Sequence, residues 1–164
     1  ISVNELDLYP RTLRTEIDEL NAMIYDDVNN GVYKTGFATS QKSYTECFMK
    51  LFECLEELEQ RLSITRFLLG DKITEADWRL FTTLVRFDAV YVGHFKCNKK
   101  RLCDYPNLWS YTRELYQQPG VSETVDLEHI KHHYYGSHKM INPNRIIPSG
   151  LFINFHDAHY RQPS

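Results

Sequence analysis

No apolar run in this 164-residue sequence approaches the roughly 20 residues that a membrane-spanning helix requires. No secretory signal pattern opens it either. It also begins at Ile1 rather than Met, as expected of a fragment or a processed product. A Gly-rich phosphate loop, a His-Glu-x-x-His pair and a Gly-x-Ser-x-Gly elbow are all missing. There is no internal repeat and no low-complexity segment. Positive charge is not in excess: the net charge of −3 provides no general field for nucleic acid or anionic membrane. The local cluster Lys96, Lys99, Lys100 and Arg101 is therefore expected to be a solvated loop. The four cysteines lack any Cys-x-x-Cys spacing for metal or redox work. Cys47 and Cys54 lie seven apart on one apolar helical face and read as two buried thiols. Cys97 and Cys103 flank the basic turn. This usage fits a reduced, cytoplasmic setting.

What remains is an ordinary globular composition, 42% hydrophobic and 25% charged, long enough for one domain with a core. Its patterning is helical almost throughout. Leu13, Ile17, Leu20, Ile24 and Val28 predict a helix from about Tyr9, with Pro10 in its first turn and Asn29-Asn30-Gly31 ending it. A loop, Val32 to Ala38, is expected next. Thr39 or Ser40 then caps a helix of about six turns striped by Tyr44, Cys47, Phe48, Leu51, Phe52, Leu55, Leu58 and Leu62. Thr74 and Asp77 form a capping box, flanked by Ile73 and Trp78 at the positions of a hydrophobic staple. They start a helix running to about Tyr91 that is apolar on more than one side and so expected to be central and buried. Tyr105-Pro106 opens a further helix, stopped by Gln118-Pro119-Gly120. Another runs from Ser122 to about Tyr134 and ends at Gly136. The fold class is all-α: a bundle around one central helix over residues 1–136, followed by an irregular tail, 137–164. The tail's Ile146-Ile147-Pro148 and Leu151-Phe152-Ile153 are too apolar for free solvent and are expected to pack on a surface or on another subunit.

Chemistry-bearing residues are few. His129 and His132 or His133 share a helix face, but no acid or thiol stands near them, and no metal is expected. Arg79, Thr83 and Arg86 recur on the otherwise apolar helix, where Asp77 and Asp88 are the expected ionic partners. The eleven tyrosines are more informative. Several stand beside glycine or a cation: Tyr33-Lys34, Tyr91-Val92-Gly93-His94 and Tyr134-Tyr135-Gly136. Converging phenols suit a flat aromatic or quinone-like ligand, on which they can stack and to whose oxygens they can donate.

The residues that surround these features carry a resemblance. Val32-Tyr33-Lys34-Thr35-Gly36-Phe37-Ala38, Thr74-Glu75-Ala76-Asp77-Trp78-Arg79-Leu80-Phe81, Arg86-Phe87-Asp88, Tyr91-Val92-Gly93-His94-Phe95-Lys96-Cys97-Asn98, Tyr105-Pro106-Asn107-Leu108-Trp109 and His129-Ile130-Lys131-x-His133-Tyr134-Tyr135 closely resemble the glutathionyl-hydroquinone reductases, the Xi class of the glutathione transferase superfamily. The resemblance covers the C-terminal helical domain only. It implies an enzyme that converts glutathionyl-hydroquinones to hydroquinones with release of oxidised glutathione, so that glutathione is the co-substrate and a quinone or hydroquinone conjugate the ligand. It further implies a thioredoxin-like N-terminal domain bearing a nucleophilic cysteine in a Cys-Pro-Trp-type motif, which this sequence lacks, and a homodimer built in large part on the helical half. Tyr33 and one of Tyr134 or Tyr135 are implied as hydroquinone-holding residues, and Tyr91, Arg86 and His133 lie inside matching motifs. A non-catalytic, transferase-like interaction module is the alternative reading of a chain without the nucleophile.

Overall fold

The longest apolar stripe and the best-capped helix turn out to be the two halves of the core. In a computed structural model, which describes residues 6–161, six α-helices follow one another: α1 Arg14–Met23, α2 Asn30–Gly36, α3 Gln41–Ile64, α4 Glu75–Arg86, α5 Pro106–Tyr116 and α6 Leu127–Ser137. No strand occurs among the described residues. The outer ends of the chain, 1–5 and 162–164, lie outside them. Leu51, Phe52, Leu55 and Leu58 of α3 and Leu80, Leu84 and Phe87 around α4 are fully buried and form one core with Ile17, Ile24 and Val28.

The first helix does not stop at Asn29-Asn30-Gly31. A π-helical turn, Ile24–Asn29, joins α1 to α2 without a break, so the expected loop is helical as far as Gly36. Tertiary packing overrides the stop signal. Gly31 lies against Leu51, Val32 is fully buried, and Thr35 caps the turn below it by donating to the Gly31 carbonyl at 2.8 Å. Asn29 makes the join specific, since its Nδ2 donates to Thr83 Oγ1 at 2.7 Å and to the Arg79 carbonyl at 3.1 Å. Its start also differs, with Arg14 rather than Tyr9 as the first helical residue.

Ser40, not Thr39, caps α3, its hydroxyl accepting from the Ser43 amide at 3.1 Å. Cys54 is buried on the stripe of α3, whereas Cys47, nearer the helix start, is only half-buried. Asp77 does more than close the capping box. Its carboxylate accepts from the Thr74 amide at 2.7 Å, the Thr74 hydroxyl at 3.0 Å, the Leu68 amide at 3.0 Å and the Tyr111 hydroxyl at 2.8 Å. One buried side chain thus joins the start of α4, the Phe67–Gly70 turn and α5. That turn closes through Gly70 at φ +115°, open to glycine but strained for other residues. Ile73 and Trp78 are half-buried and pack on the same core.

Beyond Arg86 the central helix continues as a second π turn, Phe87–Tyr91. The expected pairing of arginines with Asp77 and Asp88 does not form. Asp88 accepts from the amides of Leu102 at 2.5 Å and Cys103 at 3.1 Å, pinning the short 3-10 turn Leu102–Asp104 to the central helix. Arg79 pairs instead with Glu75 at 3.3 Å, and Arg86 donates to the Thr82 carbonyl at 2.5 Å. Both carboxylates satisfy backbone donors that have no other acceptor, and the arginines lie further out, where neighbours on their own helix suffice.

The last helix starts later than its periodicity suggests. Ser122–Thr124 is a separate 3-10 turn, and Asp126 caps α6 by accepting from the His129 amide at 2.9 Å. After Ser137 the described chain has no regular element. It is nonetheless tied down. Phe155 is buried between Trp109 and Tyr116, and Arg161 reaches Glu114 at 2.9 Å, a carboxylate that Arg66 holds from the other side at 2.5 Å. Ile146 and Phe152 remain exposed.

Candidate functional site

Three helical segments bring three tyrosines to one point. Tyr33 comes from α2, Tyr91 from the end of the second π turn and Tyr134 from α6. The Tyr33 and Tyr134 hydroxyls are 2.6 Å apart, and those of Tyr91 and Tyr134 2.9 Å apart. Tyr134 is the middle member. Tyr135, the next residue, faces away: its ring packs on His94 at 4.5 Å, and its hydroxyl would lie 2.8 Å from a Cβ added at Gly93. The Tyr134/Tyr135 ambiguity is a matter of helix phase, since consecutive residues point about 100° apart.

Proton arithmetic gives the triad its chemistry. Three phenols carry three protons, and their two mutual hydrogen bonds use two. One proton is left to be donated outward. Tyr91 is 2% exposed and Tyr134 8%, against 38% for Tyr33, so Tyr33 is the phenol that faces out. A chain running Tyr91 to Tyr134 to Tyr33 polarises each bond in turn and strengthens the last donor. Burial pushes the Tyr33 phenol up to about 12, helped by its bond to Tyr134, and burial likewise holds Tyr91 far above the usual phenol range. The Arg86 cation opposes both shifts without reversing them. All the outward chemistry at neutral pH is therefore hydrogen-bond donation by neutral phenols.

Phe95 is the floor of the site. It stacks on Tyr91 at 5.4 Å and 12°, and packs on Tyr33 at 5.1 Å. Gly36 leaves room for it: a Cβ there would meet the Phe95 ring at 2.3 Å. Gly36→Ala is accordingly expected to destabilise the fold by about 1–3 kcal/mol through overpacking and to displace Phe95 from Tyr33. Urea titration followed by circular dichroism measures the first effect. An unchanged midpoint would show that the floor yields freely.

An open cavity of about 480 Å³ runs between α4 and the loop before α6, lined by Trp78, Phe81, Val85, Arg86, Val121 and Ile130. None of the three tyrosines lines it, but Ile130 is one turn before Tyr134 on α6, and Arg86 is the cation whose charge reaches Tyr33 and Tyr91. The cavity's apolar walls and single cation suit a flat, partly anionic ligand.

The remaining candidates are placed elsewhere. His129, His132 and His133 are exposed on α6, and among the described residues no three of His, Cys, Asp and Glu gather as a metal-holding group. In the basic cluster Lys99 pairs with Glu56 at 2.7 Å, Arg101 with Asp104 at 2.9 Å, and Lys100 lies 4.8 Å from the Tyr105 ring centre. Burial pushes the Cys54 and Cys97 thiols up to about 12 and raises Cys103 as well, the opposite of what a nucleophile needs.

Residues 41–114 match the family model described as the glutathione S-transferase C-terminal domain. The chain has the helical fold of a glutathione transferase C-terminal domain. It is 57% identical over 155 residues to the glutathionyl-hydroquinone reductase YqjG of Escherichia coli strain K12, covering 94% of this chain and 47% of that protein. It is 53% identical over 144 residues to the glutathionyl-hydroquinone reductase PcpF of Sphingobium chlorophenolicum, covering 88% and 46%. The glutathione-bound structure of YqjG superimposes with a TM-score of 0.93, over 94% of this chain and 50% of that one. The Xi-class transferase of Phanerochaete chrysosporium does so at 0.88 with 54% identity, over 90% and 48%. The chain thus spans about half the length of the curated relatives it matches. Sequence reasoning did not single out Phe95, which packs under Tyr33 and Tyr91, or the contact between His94 and His138. The spacing Ile130, Tyr134, His138, at i, i+4 and i+8, was the available signal for one continuous face of α6.

Proposed function

We propose that the full protein is a glutathione-dependent reductase of glutathionyl-hydroquinones and that this chain supplies the pocket for the hydroquinone ring. The observation that carries the reading is the tyrosine triad with one proton free to leave through Tyr33. A cysteine thiolate from a thioredoxin-like half attacks the glutathione sulfur of the conjugate. The conjugate reacts as its keto tautomer, in which a ring hydroxyl has passed its proton to the sulfur-bearing carbon. The carbon–sulfur bond breaks, and its electron pair restores the aromatic ring as a phenolate that takes up the proton of a second glutathione. The cysteine is left in a mixed disulfide that this glutathione resolves to oxidised glutathione. While the pair enters the ring, negative charge grows on the ring oxygens. Tyr33, backed by Tyr134 and Tyr91, donates to such an oxygen, and Arg86 adds favourable charge. The raised thiols of Cys54, Cys97 and Cys103 fit a nucleophile carried outside this chain.

A homodimer and a cytoplasmic setting complete the proposal. The exposed apolar residues Ile146 and Phe152 favour a subunit contact, and the four free cysteines favour a reducing compartment. Joined to a thioredoxin-like half with its Cys-Pro-Trp motif, the chain is expected to turn over menadione- or benzoquinone-glutathione adducts. Absence of turnover with the cysteine intact and the protein folded would overturn the enzymatic reading. Light scattering coupled to size-exclusion chromatography reads the subunit number directly.

A further inference from the structure

Next to the triad lies a second pair of polar side chains packed among aromatics, one buried and one half-buried. His94 Nε2 and His138 Nδ1 are 3.0 Å apart, with the two ring planes inclined by 15°. His94, 6% exposed, belongs to the turn that leaves the second π segment, and its amide donates to the Val90 carbonyl at 2.8 Å. His138 is the residue at which α6 ends. Phe95 packs against both rings, at 5.2 and 5.8 Å, and Phe37 meets His138 edge-on at 5.1 Å. This contact ties the end of α6, one turn beyond Tyr134, to the segment that carries Tyr91.

We propose that His94 and His138 form a clasp that positions Tyr134 between Tyr33 and Tyr91. The proposal rests on the reading of the triad as the donor to the hydroquinone. The last turn of a helix lacks intrahelical partners for its carbonyls and frays unless something holds it. Here the His138 amide reaches the Tyr134 carbonyl at a long 3.4 Å, and the clasp supplies the lateral tie that this weak bond does not. The bond requires one ring to donate and the other to accept, so at least one imidazole stays neutral. The surroundings favour that state. Burial, then the charges of His138 and Lys96, pull His94 down to about 4, against a smaller opposing pull from the Tyr134 carbonyl. Burial and then His133 lower His138. Tyr134 and Tyr135 are the other titratable neighbours, and burial raises the Tyr135 phenol. The clasp therefore persists through the neutral range and opens only in acid, where both rings take a proton.

The two nitrogens used dictate the test. Asn places a polar atom about where His Nδ1 lies, and Phe keeps the ring but not the bond. In the full protein, His138→Asn is expected to keep kcat within about twofold of wild type. His138→Phe is expected to lower kcat roughly tenfold with little change in KM, since a donor misplaced by an ångström or less costs on that scale. A purely packing role for the ring predicts the reverse order, with Phe tolerated and Asn not. That order, or equal activity of both variants, overturns the clasp. Crystal structures of the two variants give a readout that needs no turnover. Separation of the Tyr33 and Tyr134 hydroxyls beyond 3.5 Å in His138→Phe alone supports the clasp, even if wild type proves inactive on the conjugates and the proposed reaction fails. Retention of that bond in His138→Phe overturns it.

Discussion

Asp77→Ala is expected to destabilise the domain by about 3–5 kcal/mol, a large share of the roughly 5–15 kcal/mol available to such a domain. The carboxylate is fully buried and accepts four hydrogen bonds from three separate segments. Its removal strands the Leu68 and Thr74 amides and the Tyr111 hydroxyl without acceptors, each a buried polar group costing about 1–3 kcal/mol when unpaired. Asp77→Asn keeps the shape but turns an amide N–H toward at least one of these donors, so it is expected to recover only part of the loss. Urea unfolding followed by circular dichroism checks both. A change below about 1 kcal/mol for Asp77→Ala would reduce Asp77 to an ordinary helix cap. The pH dependence has a definite sign. Burial raises the Asp77 pKa above its ordinary 3.8 despite the hydrogen bonds that favour the anion. A raised folded-state pKa contributes stability that is fully present below the unfolded value and is lost as pH rises through the folded one. Asp77 therefore does not drive acid unfolding. Asp26, Glu56 and Asp104, each held below its usual range first by a bond to Lys34, Lys99 or Arg101, lose their pairing as pH falls.

The largest expected effect on function comes from the middle of the triad. Tyr134→Phe removes both hydroxyl contacts at once, leaves the Tyr91 hydroxyl buried without its partner and takes away the polarisation of Tyr33. In the full protein, kcat/KM for glutathionyl-hydroquinone reduction is expected to fall about thirtyfold, equivalent to about 2 kcal/mol. Tyr33→Phe deletes the outward donor itself and is expected to cost about the same. Because the phenols act as one chain, the double variant is expected to lose little more than either single one. Tyr135→Phe, whose hydroxyl points toward Gly93, is expected to stay near wild type. Steady-state kinetics on the four variants decides the matter. Additive losses in the double variant would mean that Tyr33 and Tyr134 contact the substrate independently.

Much of this was legible in the residues. The helix that starts at Thr74 carries its own punctuation, and its apolar circumference announces a central position. The stripe of α3 needs only the helical period to be read. The stop signal Asn29-Asn30-Gly31 misled because Gly31 and Val32 are held by Leu51 and the core, contacts that local sequence does not display. The same error made a loop of the segment bearing Tyr33. Proximity in sequence pairs Asp77 and Asp88 with arginines, whereas beyond the capping box at Thr74 they take the Leu68, Leu102 and Cys103 amides, 9 to 15 residues away, and the Tyr111 hydroxyl. Motif resemblance supplied Tyr33 and the Tyr134-Tyr135 pair but not their order in a hydrogen-bonded chain, which depends on helix phase and on which hydroxyls are buried.

The two π turns give that phase a particular origin. Each holds one residue more than an α-helical path of the same length would need, and each lies just before or at a member of the triad, Ile24–Asn29 ahead of Tyr33 and Phe87–Tyr91 ending on Tyr91. Were the same six residues of the first turn wound as α-helix instead, Tyr33 would be carried about 100° around its axis, away from Tyr134, while every side chain of the triad stayed chemically intact. The alignment of the phenols is thus a property of how two short segments are wound. A variant that rewound either one without losing a residue would keep all three tyrosines yet have no relay.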